Sequence, residues 1–225
     1  MGPRQQGTEN AEKAVQRTIT EAALAGERAV SVARLVFCAV VGARATWYWL
    51  FTDAHHKLER AWMSYPALAA AIALSLAVLL GRTRTWRAGV VLHLSVATDA
   101  LVAFVVLVPN ALWPGPGYQG APFLIDTSAL LVLTMAAGLR HSRSAAALAG
   151  GLNGAALAGL AIADHAAAGI SDVDLLRGYT MYGLLLVTVA ALALIIARRT
   201  RALVERAAAL RECLSPAAIV RTRSA

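Results

Sequence analysis

Six apolar stretches alternate with short polar connections along the chain. At about 1.5 Å of rise per residue, each stretch is long enough as an α-helix to cross a hydrocarbon core of about 30 Å. The fifth is the least apolar, because it is rich in glycine and alanine. The pattern predicts an all-α, polytopic membrane protein, a bundle of six transmembrane helices, with spans at residues 29–51, 61–80, 88–108, 122–139, 145–170 and 179–197.

The segment before the first span is polar and compatible with a helix, so we predict a cytoplasmic N-terminal arm over residues 1–28. Two arrangements are open for this arm: a frayed segment, or a helix that packs on the segment leaving the sixth span. It is not a signal peptide, because its polar region is too long and no small-residue cleavage site follows the apolar run.

A polar helix follows the sixth span, and its apolar residues adopt the spacing of a coiled coil. Alternating steps of four and three residues are the a/d seam of a two-stranded coiled coil. The seam consists of Leu203, Ala207, Leu210 and Leu214. We predict a transducer helix over residues 198–215 and a hinge at Ser215 and Pro216, since proline ends one helix but is favoured at the start of another. Residues 216–225 would begin a junction to an output domain.

Basic residues are concentrated on one side of the predicted bundle. Sixteen lysine and arginine residues lie in the two terminal segments and in the second and fourth connections, against three in the other connections. Cytoplasmic segments carry the excess of lysine and arginine in membrane proteins. We therefore predict a multi-pass protein of the cell inner (plasma) membrane with both termini in the cytoplasm.

Composition favours the same class of protein. The chain is 58% hydrophobic and only 15% charged, whereas a soluble domain is about one quarter charged. Its net charge of +8 comes from arginines between apolar runs, which indicates contact with anionic lipid and no nucleic acid.

The sequence contains no pattern typical of a disulfide framework, a metal site or a soluble enzyme. Cys38 and Cys213 offer neither a disulfide framework nor metal-ligand spacing. Soluble catalytic motifs are absent, and we predict no cofactor in this chain.

Titratable side chains inside the spans are the candidate site residues. A charge there costs about 2.5 to 3.5 kcal/mol on insertion scales, so such groups face the bundle interior and find partners. Asp99 lies near mid-membrane, and Arg44 shares the outer depth of Asp126 and Asp164. An ion pair that fixes helix packing, or snorkelling of Arg44, is one interpretation, and a ligand or proton site is the other. The candidates are Arg44, His93, Asp99, Asp126, Asp164 and His165.

Tryptophan and tyrosine residues gather at the predicted outer ends of the spans, among them Trp47, Trp49 and Tyr65. Such a pattern is typical of an interfacial belt. Because the belt covers one side only, a ligand site open to the outside is the alternative. A haem held between two histidines is not expected, since His93 has no histidine at its own depth.

A family resemblance lies in the residues that follow the exit helix, which read Leu214-Ser215-Pro216-Ala217-Ala218-Ile219-Val220-Arg221. This segment resembles the junction of membrane-bound class III adenylate and guanylate cyclases, where a helical transducer ends in a Leu-x-Pro-x-x-Ile/Val pattern before the catalytic domain. The six-span layout with both termini in the cytosol is also similar to the membrane domain of that family.

The resemblance implies a receptor, anchor and dimerisation moiety that passes a signal through the exit helix to a cytosolic catalytic domain. The implied partners are the lipid bilayer, a second copy of the chain and the output domain, and no ligand is identified by the sequence. The chain ends at Ala225 with no counterpart of a cyclase's catalytic residues. ATP or GTP and a divalent metal are therefore expected only in a catalytic domain that this chain lacks.

Two other functions fit the same pattern. The input domain of a histidine kinase or a diguanylate cyclase would use the same exit helix. A small transporter or channel would explain the ionisable residues inside the spans, but it predicts a repeat between the two three-span halves. We find no convincing repeat of that kind.

Overall fold

Helices and their short connections make up all of the described structure. The computed structural model describes residues 3–51, 57–115, 117–166 and 173–213, and no strand occurs within those ranges. The predicted all-α class is confirmed there. The α-helices are α1 (Pro3–Phe51), α2 (Lys57–Leu79), α3 (Ala88–Leu112), α4 (Ser128–Ala137), α5 (Arg143–Ala166) and α6 (Val173–Cys213).

Five of these helices contain stretches long and apolar enough to cross a membrane, as expected for a membrane protein in contact with lipid. The stretches are Val15–Phe51, Leu58–Leu79, Ala88–Leu112, Arg143–Ala166 and Val173–Ala207.

The fourth predicted span, residues 122–139, is not one continuous α-helix. Its α-helical part, α4, has ten residues and covers only about 15 Å. Pro122 lacks the backbone N–H that an α-helix would use there, and the Thr127 hydroxyl donates to the carbonyl oxygen of Ala121. The six-span count therefore stays a prediction. Around α4 the chain forms 3₁₀ turns at Ala121–Phe123, Ile125–Thr127 and Gly138–Arg140.

Both α1 and α6 extend well beyond the predicted spans. α1 is one helix of 49 residues, so the predicted arm and first span are continuous from Pro3 onward. α6 has 41 residues and joins the predicted sixth span to the transducer helix without a break. The fifth helix, α5, ends at Ala166, and the rest of the predicted fifth span lies outside the described residues.

The packing order makes the first and last helices neighbours. α1 packs against α2, α2 against α3, α3 against α5 and α5 against α6, while α6 in turn contacts α1. α4 packs against α5 and α6. The largest apolar core joins α3, α4, α5 and α6, with Leu107, Leu130, Leu160 and Leu186 at its centre.

Candidate functional site

Four charged side chains and two serines meet inside the bundle. All six are buried, although buried charges are rare unless they are paired. They connect three helices and the turn that follows α4. We call them the charge cluster, and its members are Glu27 and Arg34 of α1, Ser75 of α2, Ser95 and Asp99 of α3, and Arg140.

Each nitrogen of the Arg34 guanidinium has an acceptor within the cluster. Nε donates to Asp99 Oδ1, Nη1 to Ser75 Oγ at 3.1 Å, and Nη2 to Glu27 Oε1 at 3.3 Å. Nη2 also bonds Ser95 Oγ. Arg34 therefore joins α1 to both α2 and α3.

Arg140 bonds the same two carboxylates from the opposite side. Its Nε donates to Glu27 Oε2 at 2.6 Å and its Nη2 to Asp99 Oδ2 at 2.6 Å. Ser95 Oγ accepts a third bond from Nη2 at 3.0 Å. Each carboxylate thus gives one oxygen to Arg34 and the other to Arg140, and the four charges form a closed ring.

The ring has no net charge, since it contains two guanidinium groups and two carboxylates. Removing charges from water is costly, and their attraction compensates only when the geometry is good and the remaining polar atoms are hydrogen-bonded. The serine hydroxyls supply part of that bonding, because Ser95 also donates to Glu27. Deleting one charge would leave an uncompensated one, which typically costs about 3 to 5 kcal/mol.

Sequence spacing places the cluster residues on matching helix faces. Glu27 and Arg34 are seven residues apart on α1, and Ser95 and Asp99 are four apart on α3. Both separations return a side chain to the same face of an α-helix. The two faces oppose each other across the bundle, and Arg140 enters between them.

Two glycines let the backbone bring Arg140 into the ring. A Cβ on Gly26 would lie 2.3 Å from the carbonyl oxygen of Leu139, and one on Gly138 would lie 3.0 Å from the carbonyl oxygen of Ala193. The turn Gly138–Arg140 is therefore held closely between α1 and α6.

The sequence pattern identifies Asp99 as a candidate but misses the other three charged members of the cluster. Glu27 falls in the predicted polar arm, Arg34 lies within a predicted span without an evident partner, and Arg140 falls in a predicted cytoplasmic connection. The seven-residue spacing of Glu27 and Arg34 in an increasingly apolar helix is the one available signal. Nothing local to Arg140 distinguishes it from a lipid-facing arginine.

Arg44 is paired with Asp126, which lies in a turn before α4. Nη1 of Arg44 contacts both carboxylate oxygens, with Oδ1 at 2.5 Å. The Arg44 side chain is 65% exposed, so the pair is far more open than the charge cluster. The sequence predicts that Asp126 and Asp164 both lie at the depth of Arg44. In the structure Arg44 pairs with Asp126, whereas Asp164 bonds other residues.

Asp164 is fully buried near the end of α5 and accepts three hydrogen bonds. Its donors are the hydroxyls of Tyr118 and Tyr179, each at 2.6 Å, and the backbone N–H of Ala121 at 2.8 Å. Burial and the adjacent Asp164 carboxylate raise the pKa of the Tyr118 phenol well above its ordinary value. Through these bonds Asp164, which lies on α5, holds the segment between α3 and α4 against α5, and its bond with Tyr179 joins α5 to α6.

The two candidate histidines join none of these groups. His93 and His165 are not buried, and His93 Nδ1 lies 2.5 Å from the carbonyl oxygen of Gly89 in its own helix. Among the described residues, no three His, Cys, Asp or Glu side chains come together as a possible metal site.

A cavity of about 640 Å³ lies between α1, α2, α3 and α4. Along α1 its lining extends from Val30 to Trp49. Arg34 of the charge cluster lies near one end, and Arg44 and Asp126 lie near the other. The cavity therefore connects the buried ring of charges with the more open ion pair.

The described seam residues of the transducer helix face away from the chain's own helices. Leu203 is 61% and Leu210 is 63% exposed, and Ala207 between them is also exposed. The predicted seam residue Leu214 and the predicted hinge, Ser215 and Pro216, lie outside the described residues.

Comparison with models of known families, with curated proteins and with solved structures gives no match to this chain.

Proposed function

We propose that this chain is the membrane receptor and dimerisation moiety of a class III nucleotide cyclase, and that it passes a signal through α6 to a cytosolic catalytic domain. The observation that carries the proposal is α6 itself. It continues as one helix from the membrane-length stretch into a polar segment, where its leucines are exposed.

The two faces of the polar part of α6 differ in a way that favours pairing with a second copy. Leu203, Ala207 and Leu210 form one exposed stripe. On another face, Arg201 donates to Glu205 at 2.9 Å, and both residues are only partly exposed. A leucine stripe with four-three spacing on a charged helix is the contact surface of a two-stranded coiled coil.

A dimeric exit helix has a physical purpose in the proposed function. Cyclase chemistry needs two catalytic domains in contact, so paired helices would hold them together. A rotation or a shift in register of such helices can change how attached domains meet. The resemblance of residues 214–221 to the cyclase junction supports this output over others.

Disulfide crosslinking tests the dimer directly. With both native cysteines replaced by serine, Leu203→Cys and Leu210→Cys should each crosslink two chains in membranes. Glu205→Cys, away from the leucine stripe, is the control and should crosslink much less. Equal crosslinking from all three positions, or none from the two seam positions, would contradict the pairing.

A chimera tests the output. A class III catalytic domain joined after Val220 should give cyclase activity that falls when Leu203 and Leu210 are both changed to Asp. The paired change of Arg201 and Glu205 to Ala, away from the seam, should preserve it. The class III cyclase chimera is compared with two others, in which a histidine kinase core or a diguanylate cyclase domain is joined at the same position.

Both of these output domains would use the same helix, so they test the two alternative functions. If only one of these two chimeras shows regulated activity, and the class III cyclase chimera does not, the proposed cyclase output is wrong and that alternative is favoured.

A further inference from the structure

Three buried polar atoms in and beside the charge cluster have no hydrogen-bond partner among the described residues. They are Nη1 of Arg140, Oγ of Ser31 and Oδ1 of Asn153. Each of these residues has at most 1% of its surface exposed. A buried polar group that stays unpaired destabilises the fold, and nearly all such groups in native proteins are bonded to protein or to ordered water.

Helix packing brings polar residues together at one depth of the bundle. Four helices, α1, α3, α4 and α5, converge in a small apolar cluster that includes Ala23, Val96, Ala137 and Ala149. Three or four residues from each of these, and so on the same helix face, lies a buried polar residue. We call these residues the polar layer, and they are Glu27, Asp99, Thr134 and Asn153.

Ser31 lies at the depth of this layer. Glu27 of α1 accepts a hydrogen bond from Ser95 of α3. Further along both helices Arg34 bonds Asp99, so α1 and α3 run in the same direction. Ser31 follows Glu27 by four residues, as Asp99 follows Ser95, and therefore lies level with Asp99.

Arg140 and Asn153 reach the same layer from the side of α4. Nη2 of Arg140 bonds Asp99 at 2.6 Å, and Nδ2 of Asn153 donates to Thr134 Oγ1 at 2.8 Å. The Thr134 hydroxyl already donates to a backbone carbonyl of its own helix. Turning the Asn153 amide round would therefore only exchange which of its two polar atoms lacks a partner.

Apolar side chains close the layer on its other side. The largest apolar core includes Ala103 of α3, Leu130 of α4 and Leu157 of α5, each four residues from a member of the polar layer. Among the described residues that line the cavity between α1 and α4, none is Ser31, Arg140 or Asn153. The polar layer is thus enclosed between two apolar clusters and separate from that cavity.

We propose that one water molecule is bound between Arg140, Ser31 and Asn153 as an integral part of the bundle. Its oxygen accepts a hydrogen bond from Nη1 of Arg140, and its two protons are donated to Oγ of Ser31 and Oδ1 of Asn153. A buried water typically makes about three hydrogen bonds, and these three atoms supply one donor and two acceptors. The water links α1 and α5 to the turn that follows α4.

The asparagine side chains offer a selective probe, because the chain contains only Asn10, Asn110 and Asn153. The full chain, labelled with ¹⁵N-asparagine in lipid bilayers, can be studied by solid-state NMR with magnetisation transfer from water protons to each side-chain amide. We expect a water cross-peak at the Asn153 amide in spite of its burial. Asn153→Gln removes this signal and so assigns it.

Filling the site should expel the water. Ser31→Val replaces the hydroxyl with methyl groups that occupy its space, so the cross-peak at Asn153 should disappear. Val32→Ile adds a methyl group at the next residue of α1, which is 51% exposed, and as the matched control should retain the cross-peak. The Asn110 signal should keep its chemical shift in both variants, which reports an intact fold.

The position of the water is tested on the natural chain. An experimental density map that resolves ordered water should show an isolated peak about 3 Å from each of the three atoms. A missing water cross-peak at Asn153 would overturn the inference, and so would a direct bond from Arg140 to Asn153 in the map. Persistence of the cross-peak in Ser31→Val would contradict the assigned position. The bound water goes beyond the proposed function, since neither measurement needs a dimer or an output domain.

Discussion

Arg140 and Asp99 form an ion pair of 2.6 Å across 41 residues of sequence, and this pair closes the ring of charges inside the bundle. Without it, Asp99 would be held by Arg34 alone, and the turn after α4 would bond the ring only through Glu27 and Ser95. The pair therefore adds to the bond with Ser95 in holding this turn to α3, while Glu27 holds it to α1.

Asp99→Asn should be strongly destabilising. The amide keeps the shape of the side chain but leaves two guanidinium groups against one carboxylate. We expect a loss of about 3 to 5 kcal/mol, measured as the free energy of unfolding in mixed detergent micelles. Asp126→Asn is the control, since its partner Arg44 is 65% exposed, against 3% for Arg34 in the ring, and its loss should be about 1 kcal/mol or less. Similar losses in both variants would contradict a special role for the buried ring.

Glu27 and Arg140 should show strong coupling in a double-mutant cycle. Glu27→Gln and Arg140→Gln each unbalance the ring by one charge, whereas the double variant restores neutrality. We expect the double variant to be more stable than the sum of the single losses predicts, by about 0.5 to 3 kcal/mol. Additive losses would show that the two side chains act independently.

Gly26→Ala should destabilise the bundle because its Cβ would meet the backbone carbonyl of Leu139 at 2.3 Å. Overpacking of this kind costs about 1 to 3 kcal/mol. Gly42→Ala, in the same helix, is the matched control because nothing lies within 4 Å of the position that its Cβ would take. That control should be neutral or stabilising by up to about 1 kcal/mol, since alanine favours helix over glycine. Thermal unfolding of the two variants provides the comparison.

Tyr118→Phe should have a cost that depends on pH. A hydrogen bond to a carboxylate contributes about 1.5 to 3 kcal/mol. At neutral pH the free energy of unfolding of the natural chain should exceed that of the Tyr118→Phe variant by this amount. The folded pKa of Tyr118 is raised above the ordinary value of 10.0, so this advantage is fully present below pH 10. Above it, the advantage should fall by about 1.4 kcal/mol per pH unit, as the unfolded phenol ionises first. Unfolding measured from pH 8 to 11 checks the slope, and a constant difference would contradict it.

Hydropathy alone predicts most of the long helices, because a membrane helix is encoded by local apolar length. α2 and α3 begin and end close to the predicted spans. The fourth apolar stretch is different: its length fits a span, but Pro122 and the hydrogen bond from Thr127 to Ala121 produce turns there. Apolar length does not distinguish a straight helix from a short one between turns.

The charge cluster can be predicted only in part. Asp99 stands out because it interrupts an apolar helix, whereas shared depth places Arg44 near two aspartates, Asp126 and Asp164, and does not decide between them. Partner choice within the cluster depends on helix rotation and on the approach of the turn at Gly138 to α1, neither of which is a local property of the sequence. Arg140 lies next to a polar connection, where an arginine usually contacts lipid head groups or water.

The closed ring also sets an order for biosynthesis. Glu27 and Arg34 are made first and bring one charge of each sign, so α1 is balanced by itself at this site. Asp99 follows on α3, and from then until Arg140 is synthesised the growing bundle holds two carboxylates against one guanidinium. An unpaired carboxylate is poorly tolerated in lipid. Once α3 has been made, the buried charges are balanced again only after α4 and the turn that carries Arg140 have followed, so α3 has to wait for them before it leaves the insertion machinery.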